Sequence, residues 1–208
     1  MIVGAGFAAA VGIAALGSAI GTPALPQPLA DLDQRLPSIF KIHMVASGLA
    51  LFILPWVFFL RHQRSLHRVL GRICAGLLFI GAAASVPSAL QSAAMPLARV
   101  GFFTQGLLCL TFVVGAVRAV RSRNIEQHAR LMLGVSALVF GAVILRIMMA
   151  LAMWLGSPFD LTYAALAWLS WLIPLLMVSL WPRLNGLRSP GLIWALIRRA
   201  TANGRLAS

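Results

Sequence analysis

Acidic residues are nearly missing from this chain: four Asp and Glu stand against 17 Lys and Arg in 208 residues. So few carboxylates, and so scattered, supply no pair for general acid–base catalysis. There are two cysteines, Cys74 and Cys109, with no Cys-x-x-Cys spacing, and no disulfide framework follows from them. A P-loop, a His-Glu-x-x-His zinc motif and a Gly-x-Ser-x-Gly elbow are all lacking. Charge of either sign is scarce. With 10% charged and 61% hydrophobic residues, a soluble domain of this length would have too little polar surface to cover itself.

What is present is a series of apolar runs. A helix of roughly 20 apolar residues fits the ~30 Å hydrocarbon core of a bilayer. Six such spans are read at Ile2–Ile20, Ile39–Leu60, Val69–Leu90, Val100–Val120, Leu131–Leu155 and Tyr163–Trp181. The expected fold is an all-α, polytopic transmembrane helix bundle of about six spans, in a bacterial inner membrane. Its organisation is a first transmembrane helix over 1–21, an external Pro-rich linker over 22–38, a five-helix membrane core over 39–182 and a cytoplasmic tail over 183–208.

Orientation follows from the arginines. With both termini cytoplasmic, the inner segments hold Arg61, Arg64, Arg68, Arg72, Arg118, Arg121, Arg123, Arg130, Arg183, Arg188, Arg198, Arg199 and Arg205. Arg35, Lys41, Arg99 and Arg146 remain outside or near the outer face, a split of 13 to 4 among the 17 basic residues. The net charge of +13 therefore flanks spans rather than forming a basic stripe interleaved with aromatics. No nucleic acid is expected; anionic lipid headgroups at the inner face are.

The ends of the chain are read separately. Residues 1–21 lack the basic stretch of a signal peptide and read as a retained helix, an uncleaved anchor. Gly4, Ala8 and Gly12 form a small-xxx-small ridge on which another helix can pack closely. Pro23, Pro26, Pro28 and Pro37 predict an extended linker rather than a helix. Leu192, Ile193, Trp194, Leu196 and Ile197, followed by Arg198 and Arg199, are too short to cross and predict a helix lying on the inner leaflet.

Candidate chemistry lies on the few polar residues in or beside the spans. Ser65 is read as a cap that puts His67 in a first turn; Asn124, with Gln127 three residues on, does the same for His128. The positive end of a helix disfavours imidazolium, so both rings should be neutral: a metal or haem ligand, or a proton acceptor. Interfacial anchoring, or lipid phosphate held with Arg68 and Arg72, accounts for the same residues. His62 reads as a solvated loop residue. On the third span His67, Gly71, Cys74, Leu78 and Ser85 share a stripe; on the fifth, His128, Met132, Val135, Val139, Ala142 and Arg146 do. A second, outer constellation comprises His43 with Ser47, Gln105 and Arg146. An intramembrane arginine is a functional candidate by default, set against snorkelling or pairing with Asp160.

The order Lys41-Ile42-His43, Leu66-His67-Arg68-x-x-Gly71-Arg72, His128-x-x-x-Met132 and Leu145-Arg146 resembles a family of bacterial multi-pass membrane proteins known as domain of unknown function 2306. The resemblance runs over Phe40–Ala150 and implies a fold and a set of positions, without an activity. In outline the chain is also similar to four-helix membrane cytochromes, whose inward histidines clamp haem b. That similarity implies His67 and His128 as axial ligands, with Arg68 or Arg72 on the propionates. The expected function is a membrane redox protein with one haem b or a quinone, His43, Gln105 and Arg146 lining an outer site for a quinone or small polar ligand. The alternative is a non-enzymatic transport or accessory subunit working with a membrane protein partner.

Overall fold

A computed structural model describes residues 10–17 and 27–184, and every element among them is helical. After the helical segment 10–17 come α1 (Gln27–Arg35), α2 (Pro37–Phe59), α3 (Arg64–Gln91), α4 (Pro96–Arg121), α5 (Ile125–Trp154) and α6 (Phe159–Leu184). Helices α2 to α6 are each long and apolar enough to cross a bilayer. They are the second to sixth expected spans. Helices α3, α4 and α6 run past their apolar stretches at both ends, whereas α2 and α5 start early and stop one residue short, at Phe59 and Trp154. Of the first expected span only 10–17 lies in the described residues, and the interfacial helix expected at 192–197 lies outside them.

Three local expectations are resolved by the helix starts. Asn124 caps α5, its side chain accepting from the Gln127 amide at 3.0 Å while its amide group meets Gln127 Oε1 at 3.3 Å. Ser65 is not a cap. Helix α3 begins one residue earlier, at Arg64, behind Gln63, whose side chain makes no capping bond. The third expectation, an extended linker over 22–38, is corrected where α1 forms. Pro28 stands in the first turn of α1 and Pro37 in the first turn of α2, positions where a missing N–H loses no helical bond.

The helices form an antiparallel series. Each of α2 to α6 packs on its neighbour in sequence, and α6 packs back on α4 as well as on α5. Their shared core holds Cys74 and Leu78 of α3, Phe112 of α4, Val135 and Leu138 of α5, and Trp171 of α6. The two stripes therefore face inward at Cys74, Leu78 and Val135. Outward positions stay apolar, Phe52, Ile73, Leu107 and Ile173 among them, as a lipid-facing surface requires. The turns at 60–63 and 122–124 mark one end of the bundle, rich in arginine; α1 and the turns at 92–95 and 155–158 mark the other.

The arginine asymmetry makes a testable statement about this frame. Reporter fusions after Gln127 should read as cytoplasmic and fusions after Ser157 as external. An external Gln127 would invert the bundle.

Candidate functional site

Among the described residues, several polar side chains tie neighbouring spans together through backbone carbonyls, and four of them form a repeated scheme. In the hairpin of α2 and α3, His43 Nδ1 donates to Gly81 O at 2.8 Å near the α1 end, and His67 Nδ1 donates to Val57 O at 3.0 Å near the arginine-rich end. The hairpin of α4 and α5 repeats the scheme. Gln105 Nε2 donates to Leu138 O at 2.8 Å, and His128 Nδ1 donates to Ala116 O at 3.0 Å. Within hydrocarbon such bonds supply cohesion that apolar contact with lipid cannot. A carbonyl only accepts, so Nδ1 carries the hydrogen in all three rings and the neutral form keeps a lone pair on Nε2.

His67 and His128 nevertheless serve different helix pairs. His67 turns to α2 and His128 to α4, and α4 packs against both α3 and α5. A haem clamped between the two rings would need both Nε2 atoms to face one space, while each Nδ1 is held by a carbonyl of a different helix. Arg68 and Arg72 are exposed, and Arg68 Nε donates to Arg64 O of its own helix at 3.1 Å. His62 is exposed in the short turn after α2, accepting from Arg61 Nε at 3.1 Å. The Soret region of protein purified in mild detergent from haem-replete cells is the measurement that tests the pair. A band lost in both His67→Ala and His128→Ala would support the paired ligands, and colourless folded protein would count against them.

The outer constellation has a different fate. Toward the α1 end the helices border a partly open cavity of about 480 Å³, and His43, Gln105 and Arg146 all line it. Ser47 on α2 and Ser85 on α3 share the lining; Ser47 Oγ lies 3.4 Å from His43 Nδ1. Most of the wall is apolar: Leu51, Leu78, Val139 and Met149 from the spans, Leu29 and Leu32 from α1, and Val11, Ala14 and Ala15 from the first segment. Helix α1 thus forms part of the wall.

Arg146 has few partners there. Its Nη1 donates to Ala142 O, one turn back on α5, at 3.1 Å. All four acids of the chain are among the described residues, and the ion pair they form is Glu126 with Arg130, at the opposite end of α5. Asp160 is not the partner of Arg146. Tyr163 on α6 also lines the cavity, within electrostatic reach of Arg146, its ring 5.3 Å from Phe102 and stacked at 5.4 Å on Phe159. Reading the spans by hydropathy missed Tyr163. The signal was available, since it is the single tyrosine beside 11 phenylalanines and so the one aromatic hydroxyl in the chain.

Cys74 and Cys109 are free and buried; Cys109 lines the cavity, and Cys74 Sγ faces Ala50 O at 3.9 Å. They act as small apolar residues in the core.

No curated protein and no solved structure matches the chain. A family model described as predicted membrane protein (DUF2306) matches residues 40–182, which takes in His43, Gln105, Arg146 and Tyr163 and begins after α1. The match spans the whole five-helix core and well over half of the sequence, and the chain belongs to this family of multi-pass membrane proteins.

Proposed function

We propose that this protein is a ligand-binding component of a bacterial inner membrane, taking a lipid-soluble amphiphile into the cavity between its spans. One observation carries the reading: polar side chains from four helices, His43, Gln105, Arg146 and Tyr163, line one largely apolar cavity of about 480 Å³. Small-molecule sites run from about 300 to 1,000 Å³ and combine an apolar wall with a few oriented polar groups. Arg146 and the Tyr163 hydroxyl can donate to ligand oxygens; the free Nε2 of His43 can accept. A quinone belongs to this class, its ring on the wall and its carbonyls on the donors. These groups orient a ligand rather than break a bond in it. The role that follows is that of a carrier or accessory subunit.

The test uses the whole chain in nanodiscs. A short-chain ubiquinone and palmitate are each titrated while the thermal midpoint is followed, in the native protein and in Ala142→Phe, which places a ring in the cavity wall. A rise with at least one probe in the native protein, lost in Ala142→Phe with its basal midpoint kept, supports the reading. No rise with either probe, or a rise that survives Ala142→Phe, overturns it.

A further inference from the structure

We infer that Arg146 makes this cavity selective for an acidic head, so that its ligand is a single-chain amphiphile ending in a carboxylate. The inference rests on the ligand-binding reading above and specifies the ligand. An arginine within a span is expensive and is normally matched by an acid or opened to water. Here the side chain is exposed, at the rim of the cavity, no acid among the described residues pairs with it, and the hydrogen bond its guanidinium makes there is to Ala142 O of its own helix. Four of its five N–H donors stay available in a planar fork that fits two carboxylate oxygens at once.

The surroundings agree in chemistry. Tyr163 adds a hydroxyl to the wall that Arg146 and His43 share. No carboxylate lines the cavity, so nothing there repels an anion. The apolar remainder of the wall suits one hydrocarbon chain. At about 480 Å³, the cavity is matched to a single chain rather than to a diacyl lipid. A neutral quinone would leave the guanidinium charge unmatched.

The experiment compares heads on one chain. Palmitate, hexadecanol and hexadecyl phosphate are titrated in mildly alkaline buffer against the protein in nanodiscs of neutral lipid. Palmitate should bind at least about tenfold more tightly than hexadecanol, the scale of a charge-assisted hydrogen bond. Arg146→Gln should erase that preference while still binding hexadecanol. Arg146→Lys keeps the charge without the fork and should retain only part of it. Equal binding of palmitate and hexadecanol by the native protein overturns the acidic head while leaving the cavity as a site. Stronger binding of hexadecyl phosphate than of palmitate overturns the carboxylate, and a short-chain ubiquinone outcompeting palmitate overturns the acidic ligand outright. If Arg146→Gln is unstable, the Arg146→Lys ratio decides: an undiminished preference overturns the role of the fork.

Discussion

Gly141→Val should remove about 3 kcal/mol or more of stability, the upper end for overpacking a closed core. A Cβ at position 141 would stand 2.8 Å from Trp171 Cβ, 3.0 Å from Trp171 Cα and 3.3 Å from Ser170 O. Two of those atoms are backbone, and the third is fixed to it. No rotamer change relieves the contact, so α5 and α6 must part. They part at the worst place, because Trp171 is among the largest fully buried side chains and Ser170 beside it is buried too. The gain in helix propensity over glycine, up to about 1 kcal/mol, offsets little of this. Trp171→Ala offers no rescue, since alanine keeps the offending Cα and Cβ. The double variant should be worse than either single one, the lost indole adding a cavity of its own. Thermal midpoints in detergent check this directly. A native-like Gly141→Val, or its rescue by Trp171→Ala, would show that α5 and α6 do not approach as closely as described.

The spans were legible because hydrocarbon imposes a length and arginines mark its boundary. Helix α1 was not, because its prolines read as breakers. Pro28 and Pro37 stand at helix starts, where proline is tolerated, and sequence alone does not say on which side of a proline a helix lies. His43, Gln105 and Arg146 stood out as polar residues in apolar runs, and the fold sets them around one space. The partners of the histidines were hidden for a physical reason. Each bonds a backbone carbonyl of a neighbouring helix, and carbonyls carry no sequence signature. First-turn placement made His67 and His128 resemble a ligand pair. In the fold each bonds a different neighbouring helix, since sequence shows depth along a helix but not which neighbour it faces.

Gly48→Leu should open the ligand cavity while leaving the five-helix core folded. A Cβ at Gly48 would meet Gly12 O at 2.9 Å and Ala15 Cβ at 3.2 Å, and a Cβ at Gly12 would meet Gly48 O at 2.7 Å. The contact is reciprocal, backbone against backbone, so a leucine at 48 must push segment 10–17 away from α2. Gly12 of the small-residue ridge therefore lies where a helix approaches closely; Gly4 and Ala8 fall outside the described residues. Val11, Ala14 and Ala15 line the cavity, and Ala15 packs with Leu32 of α1, Phe40 and Met44. Displacing the segment thus removes one wall and loosens a second. The core loses little, because α2 to α6 pack chiefly on one another. Two internal thiols report the difference. Cys109 lines the cavity and Cys74 does not, so a membrane-permeant maleimide should label Cys109 at least about tenfold faster in Gly48→Leu, a change in opening free energy of about 1.4 kcal/mol. Cys74 labelling should stay near native. Gly71→Leu is the control, because a Cβ there meets no atom within 4 Å. Unchanged Cys109 labelling in Gly48→Leu would mean that segment 10–17 does not wall the cavity, and equal acceleration of both thiols would mean that the core itself has come apart.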